Sequence, residues 1–191
     1  GATRGKGLGH RVFMDERRAM QEIVRRLLGL GHRRIALITG SPAHASSLRK
    51  TEAFEKTLLK AGVAQDDILI APGDFTFESG LAATRALLDL RAPPTAIIGS
   101  NDEMTLAALN VAQQRGVKTP DQLSLISFDD GSGVRFSHPA ITAVHQPVAE
   151  MAAKAVELLQ AAAAGQDMPD SSDTELPFTL VERASVARPP R

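Results

Sequence analysis

Short apolar runs alternate along this chain with longer stretches of helical spacing, and this alternation constrains the fold more than any other feature. The apolar runs predict β-strands at residues 11–14, 35–39, 68–71, 95–99, 123–128, 141–145 and 176–181. Between them, apolar residues at helical spacing predict helices at 17–30, 47–61, 78–90, 103–115 and 148–164. Most of the strands are apolar on both faces, which is typical of a parallel sheet covered by helices on both sides. The sequence therefore predicts a three-layer α/β fold with a parallel sheet.

The charge balance and the missing residue types exclude several function classes. Lys and Arg total 22 and Asp and Glu total 22, so the formal net charge is 0. A nucleic-acid binder normally carries a basic excess, so we do not expect this chain alone to bind DNA. The chain contains no cysteine, which excludes disulfides and thiol nucleophiles. Its five histidines are scattered without the spacing of metal ligands, and no nucleophile–base arrangement is present. We therefore expect no enzyme, no cofactor and no metal site.

The sequence also predicts where the protein resides. No stretch approaches 18 consecutive apolar residues, and the first residues lack the apolar core of an export signal. We therefore expect a cytoplasmic protein without membrane contact. Residues 1–10 predict a flexible leader, and residues 11–191 a single ligand-binding lobe.

Polar residues follow most of the predicted strands, at the point where each strand ends. In an open parallel sheet, ligands bind beyond the carboxyl ends of the strands. The residues found there are carboxylates, amides and one aromatic ring, at positions 15, 40–41, 73–75, 100–102, 129–130 and 145–146. Such a set offers hydrogen bonds to hydroxyl groups and a flat apolar wall for a sugar or a base. A structural role stays open for some of them: Asn101 or Asp102 could cap the helix beginning at residue 103, and residues 129–131 could form a turn.

Seven segments, in order, resemble the effector-binding core of the LacI/GalR-type bacterial transcription regulators. They are VFMD at 12–15, LGHRRIA at 30–36, GDFT at 73–76, PPTAI at 93–97, NDE at 101–103, PDQLS at 120–124 continuing to FDD at 128–130, and PAITAVHQP at 139–147. Each match is weak alone, and their order and spacing over residues 12–183 make the set specific. The resemblance implies a type I periplasmic-binding-protein-like fold of two α/β lobes, preceded by a helix-turn-helix headpiece that binds operator DNA. The matched part corresponds mainly to the second lobe, so we expect the first lobe and the headpiece to be largely absent here.

The resemblance also implies the residues that contact the effector. They fall on Phe75, Asn101, Asp129 and Gln146, which the rule on strand ends selects independently. One further position departs from the family: a lysine, Lys50, stands where the family usually has an arginine, and Ala53 replaces the glycine three residues later. Lysine keeps the charge but lacks the planar fork of arginine, so the effector can differ from that of arginine-bearing relatives. A solvated lysine near the start of a helix is the alternative.

These features predict an effector-sensing and dimerisation module of a transcription repressor. A small effector, carbohydrate or nucleobase-like, would control operator binding by the headpiece, and the module would form a homodimer. A periplasmic sugar-binding protein of an ABC transporter is the alternative, because it shares the fold and a similar site. In the family the chain crosses to the first lobe after the strand at 141–145, so we expect the helix at 148–164 to belong to that lobe.

Overall fold

A computed structural model describes residues 9–165 and 171–190 of the chain. Its main sheet has six strands in the order β3-β2-β4-β5-β6-β8. The strands are β2 (Ile35–Thr39), β3 (Leu69–Pro72), β4 (Ala96–Gly99), β5 (Ser124–Asp129), β6 (Thr142–His145) and β8 (Thr179–Val181). Strands β2 to β6 pair in parallel, whereas β8 is an antiparallel edge strand against β6. The predicted parallel α/β sheet is confirmed.

Helices cover both faces of this sheet. They are α1 (Glu16–Leu30), α2 (Ala45–Lys60), α3 (Phe77–Leu88), α4 (Asp102–Gln114), α5 (Ser132–Phe136) and α6 (Val148–Ala163), with one turn of 3-10 helix at Gln65–Asp67. Helices α1 and α2 pack together and bury one apolar cluster, which contains Phe54 and Phe128. Helices α3 and α4 pack together and bury a second cluster, which contains Met104 and Leu125. The protein thus has the three layers that the sequence predicts.

Local sequence signals set the ends of the helices. Asp15 precedes α1 and its side chain accepts a hydrogen bond from the backbone N–H of Arg18. Gly31 ends the same helix with a φ of 104°, a left-handed conformation that glycine adopts without strain. Thr76 and Asn101 cap α3 and α4 in the same manner as Asp15. Because each of these caps follows a strand or its loop, the caps lie at the carboxyl edge of the lobe.

A second, two-stranded sheet stands apart from the first. Its strands are β1 (Arg11–Phe13) and β7 (Asp173–Glu175), which pair in parallel. Helix α6 contacts β1 and has no buried residue, and Leu159 is 70% exposed. Within the described residues, no helix combines the length and the apolar character that crossing a bilayer requires.

The structure differs from the sequence predictions at β8 and at α5, and one prediction lies outside the described residues. The strand predicted at 176–181 is wrong in extent: β8 begins only at Thr179, and the preceding polar residues of β7 pair with β1 instead. The short helix α5, which begins at Ser132, was not predicted. Most of the predicted leader, residues 1–8, lies outside the described part of the chain.

Candidate functional site

The carboxyl edge of the main sheet brings together all the residues predicted to contact an effector. Asn101 follows β4, and its Nδ2 donates a hydrogen bond of 2.8 Å to the backbone oxygen of Phe75, which follows β3. Gln146 follows β6, and its Nε2 donates to the Asp129 carboxylate at the end of β5. Lys50 of α2 lies behind them against β4 and β5. The structure therefore assembles one polar surface from residues distant in sequence.

The backbone at this edge is strained. Within the described residues, a positive φ outside glycine occurs at Phe75 (74°), Asp129 (92°) and Asp130 (62°). Each such conformation costs of order 1–3 kcal/mol and persists only where the surroundings impose it. Strain of this kind is concentrated at binding and catalytic sites, and here all three cases fall at the carboxyl edge. The strain therefore singles out the edge that the strand-end rule selects.

The ring of Phe75 owes its position to a glycine. Gly40 is buried at the end of β2, and a Cβ atom there would lie 2.0 Å from a carbon of the Phe75 ring. The ring is half-buried against this bare backbone, and the imidazole of His44 meets it edge-on with 5.4 Å between centroids. The rule on strand ends selects residues 40–41, but the contact between Gly40 and the Phe75 ring was not predicted. A glycine directly after a buried strand was the signal available.

Asn101 has a structural role as well as a place in the site. Its Oδ1 accepts a hydrogen bond of 3.0 Å from the backbone N–H of Met104, so the capping role left open by the sequence is confirmed. Its amide also bridges to the loop of Phe75, as described above. A side-chain amide has two donors and two lone pairs, so one donor and one lone pair stay free for a ligand.

Lys50 is buried, with 3% of its surface exposed, so the alternative of a solvated lysine is wrong. Its Nζ donates a hydrogen bond of 2.9 Å to the backbone oxygen of Ser100 and lies 4.3 Å from the centroid of the Phe128 ring. Burial lowers the pKa of Lys50, and the negative charges of Asp129 and Glu16 act in the opposite direction. Arg49, the neighbouring residue, points elsewhere and forms an ion pair of 2.7 Å with Glu16.

Asp129 carries the charge that faces the edge. It is the exposed residue at the end of an otherwise buried strand. Crowding by protein atoms raises the pKa of Asp129, while the ammonium of Lys50 opposes the shift and the Asp102 carboxylate adds to it. A carboxylate beside a buried ammonium and an amide donor can accept hydrogen bonds from two ligand hydroxyls.

Asp130, the next residue, is buried and holds the strained backbone of residues 129–130 in place through contacts with the protein interior. It is 4% exposed, and its carboxylate oxygens lie 3.0 Å from Arg135, 2.6 Å from Arg183 and 3.4 Å from the Nδ1 atom of His145. These three residues come from α5, from the segment after β8 and from β6. This cluster was not predictable from the sequence, because it depends on contacts between distant segments.

No metal centre is visible in the described part of the chain. Across residues 9–165 and 171–190, no three His, Asp or Glu side chains are grouped to hold a metal ion.

Comparison with known proteins identifies the chain's family. The family model of the periplasmic binding protein-like domain matches residues 24–186. The transcriptional repressor CytR of Escherichia coli K12 is 36% identical over 161 residues, which cover 84% of this chain and 47% of CytR. A LacI-family transcriptional regulator from Burkhoderia phymatum superimposes with a TM-score of 0.83 at 35% identity, covering 92% of this chain and 63% of that one.

A complex of the transcriptional regulator CelR with cellobiose is also similar. It superimposes with a TM-score of 0.85 at 30% identity, covering 95% of this chain and 55% of that one. The chain spans about half the length of the curated relatives it matches.

The three-layer lobe has the fold of the periplasmic-binding-protein-like class, with a polar carboxyl edge. The chain belongs to the periplasmic binding protein-like domain family, and the resemblance of its sequence to the effector-binding core of LacI/GalR-type transcription regulators is confirmed.

Proposed function

We propose that this lobe senses a small polyhydroxyl effector at its carboxyl edge and thereby controls a transcription regulator. The observation that carries the proposal is the assembly of Phe75, Asn101, Asp129 and Gln146 on one edge, with two of the four in left-handed backbone. The relatives described above are transcription regulators, and one of them is seen with a disaccharide. These relatives favour a regulator over the transporter alternative.

Each residue of the proposed site makes a different kind of contact with the effector. Asp129 accepts hydrogen bonds from neighbouring hydroxyls, and Gln146 and Asn101 add donors beside it. The Phe75 ring provides a wall for the C–H face of a sugar or for a nucleobase. Lys50 stays behind the site and compensates the charge of Asp129. No residue of this set is assigned a catalytic role.

The wider proposal concerns the rest of the regulator. β1, β7 and α6 form a unit outside the main sheet, and we assign them to a first lobe that closes on this one when the effector binds. Closure of two lobes is a common way in which a small ligand moves a distant element. Operator DNA would be bound through a separate headpiece, in a cytoplasmic homodimer.

A thermal-shift screen of neutral sugars and nucleosides against this chain tests effector sensing. A ligand present at ten times its Kd stabilises the native state by about 1.4 kcal/mol. For a chain of this size that corresponds to a rise of roughly 3–6 °C in Tm. We expect at least one compound to raise the Tm of the parent chain but not that of a Gln146→Ala variant.

The matched control is Gln122→Ala, which changes an exposed glutamine at the opposite, amino end of the strands. It should respond as the parent does. A complete absence of shifts, or equal shifts in all three proteins, would contradict the proposal.

A further inference from the structure

The carboxyl edge is acidic although the chain as a whole is neutral. Five segments follow the parallel strands there: residues 40–44, 73–76, 100–103, 129–131 and 145–147. They contain five carboxylates and no Lys or Arg, the carboxylates being Asp74, Asp102, Glu103, Asp129 and Asp130. A cation for this edge must therefore come from elsewhere in the lobe.

Within the described residues, the arginines that reach the edge have carboxylate partners, and two of them share one carboxylate. Arg135 and Arg183 both contact Asp130, at 3.0 Å and 2.6 Å. Arg49 contacts Glu16 at 2.7 Å, and the same carboxylate accepts a hydrogen bond from Ser46 in the first turn of α2. The amino end of α2, where a helix dipole attracts anions, is thus already met by a carboxylate.

The lysine at the edge, Lys50, also contacts other groups of the protein. The Nζ of Lys50 is held by the Ser100 carbonyl at 2.9 Å and by the face of the Phe128 ring at 4.3 Å. With 3% of its surface exposed, Lys50 is enclosed by the protein and does not present an open ammonium to a ligand. Arginine at this position would carry donors in a fork that can hold two partners at once. The ammonium of Lys50 therefore binds the Ser100 carbonyl and the Phe128 ring of the protein itself.

Asp102 adds a second carboxylate near Asp129. Its two oxygens accept hydrogen bonds from Ser127 Oγ at 2.6 Å and from the Gly131 backbone N–H at 2.5 Å. These bonds fix Asp102 beside the turn, where its charge also acts on Asp129. A ligand at this edge therefore meets Asp129, whose neighbouring cation Lys50 is buried, and Asp102, whose oxygens are held by a hydroxyl and a backbone amide.

From this charge arrangement we infer that the edge selects effectors that are uncharged where they contact this lobe, and that it discriminates against their phosphorylated or carboxylated counterparts. The inference rests on the proposed function and names its ligand class. Hydroxyl groups donate to Asp129, whereas a phosphate or carboxylate brings like charge to it, and the neighbouring ammonium of Lys50 is enclosed by the protein. The selection is produced by repulsion as much as by attraction.

Matched pairs of compounds test this inference by calorimetry. The probes are ribose with ribose 5-phosphate, glucose with glucose 6-phosphate, and galactose with galacturonate, titrated into the 191-residue chain at pH 8 and low salt. In every pair with measurable binding, we expect the neutral member to bind at least about tenfold more tightly.

Charge variants separate repulsion from shape. Asp129→Asn removes the facing charge, so the ratio of affinities within a pair should fall several-fold even as overall affinity drops. Asp89→Asn changes an exposed aspartate beyond the far end of α3, paired there with Arg115, and should leave the ratio unchanged. Raising the salt concentration should also reduce the ratio in the parent chain, because salt screens the repulsion.

The outcomes distinguish this inference from the proposed function. If an anionic member binds as well as its neutral partner or better, the inference is overturned while effector sensing stands. A ratio that Asp129→Asn leaves unchanged also overturns it, because shape then explains the preference. If no compound of this panel or of the wider screen binds, the proposed function fails and the inference fails with it.

Discussion

Replacing Asp129 by asparagine should weaken effector binding without destabilising the lobe. Asparagine keeps the shape of the side chain and one oxygen that can accept from Gln146. It also tolerates the left-handed backbone better than most residues, which matters because φ is 92° at this position. The substitution therefore removes the charge and little else. Alanine is a poorer probe, because it adds strain at the same φ.

The magnitude of the binding loss follows from the lost acceptor. Hydrogen bonds to a charged group contribute about 1.5–3 kcal/mol each, and losing one corresponds to roughly a 10- to 150-fold rise in Kd. The change in the free energy of unfolding should be much smaller than the loss of binding energy, and it should be a gain in stability. Protein crowding raises the pKa of Asp129, so the native state disfavours the ionised carboxylate relative to the unfolded chain. Removing the charge should raise the free energy of unfolding by less than about 1 kcal/mol, since Asp129 is open to solvent.

The sign of this effect depends on pH in a defined way. A carboxyl group whose pKa is raised on folding destabilises the native state once pH exceeds the unfolded value of 3.8. The parent should therefore lose stability relative to Asp129→Asn as pH rises through that value toward the higher folded pKa. Urea unfolding at pH 3 and pH 7, with calorimetry of a bound neutral sugar, measures both quantities. An unchanged Kd, or a loss of more than about 2 kcal/mol in stability at pH 7, would refute the reasoning.

Three further predictions follow from other parts of the lobe. His32 is 1% exposed and hydrogen-bonded to Thr95 and to Ala187, and burial lowers its pKa. The free energy of unfolding should therefore fall as pH drops below 6.5. A His32→Gln variant whose free energy of unfolding changes with the same slope between pH 7 and 5 would exclude this cause. The exposed face of α6 should drive self-association of the chain. The double variant Leu158→Glu, Leu159→Glu should therefore have a mass closer to that of a monomer by light scattering. A parent chain that is monomeric at high concentration would contradict this. The chain alone should show no competitor-resistant mobility shift with DNA at physiological salt, because its formal net charge is 0; a specific shift would disprove the expectation.

The main sheet was predictable because buried parallel strands leave a clear signal. Strand β2 was predicted at 35–39 and lies there, since its residues are apolar on both faces and the flanking segments break the pattern. The edge strand β7 was not predicted. Its residues, Asp173 to Glu175, are polar, and they become a strand only because β1 pairs with them. Helix α5 has five residues, too few to show a helical period.

The candidate site was predictable in its members but not in its contacts. The rule on strand ends and the family resemblance both select Asp129 and Asn101 from the sequence. The burial of Lys50 on α2 could not be predicted, because it depends on the Phe128 ring in β5 and on the Ser100 carbonyl directly after β4. Nor could the Asp130 cluster, whose members lie up to 53 residues apart along the chain. Pairing of distant segments decides these features.

The most direct test of effector sensing at the carboxyl edge is an NMR titration of this chain. Amide resonances would be followed in two-dimensional spectra as a neutral sugar that raises the Tm is added. We expect the largest shift changes at the backbone amides of Phe75, Asn101, Asp129 and Gln146, and none at the amino edge near Leu123. Saturable changes confined to another surface, or no changes at millimolar sugar, would contradict the assignment of the effector site to this edge.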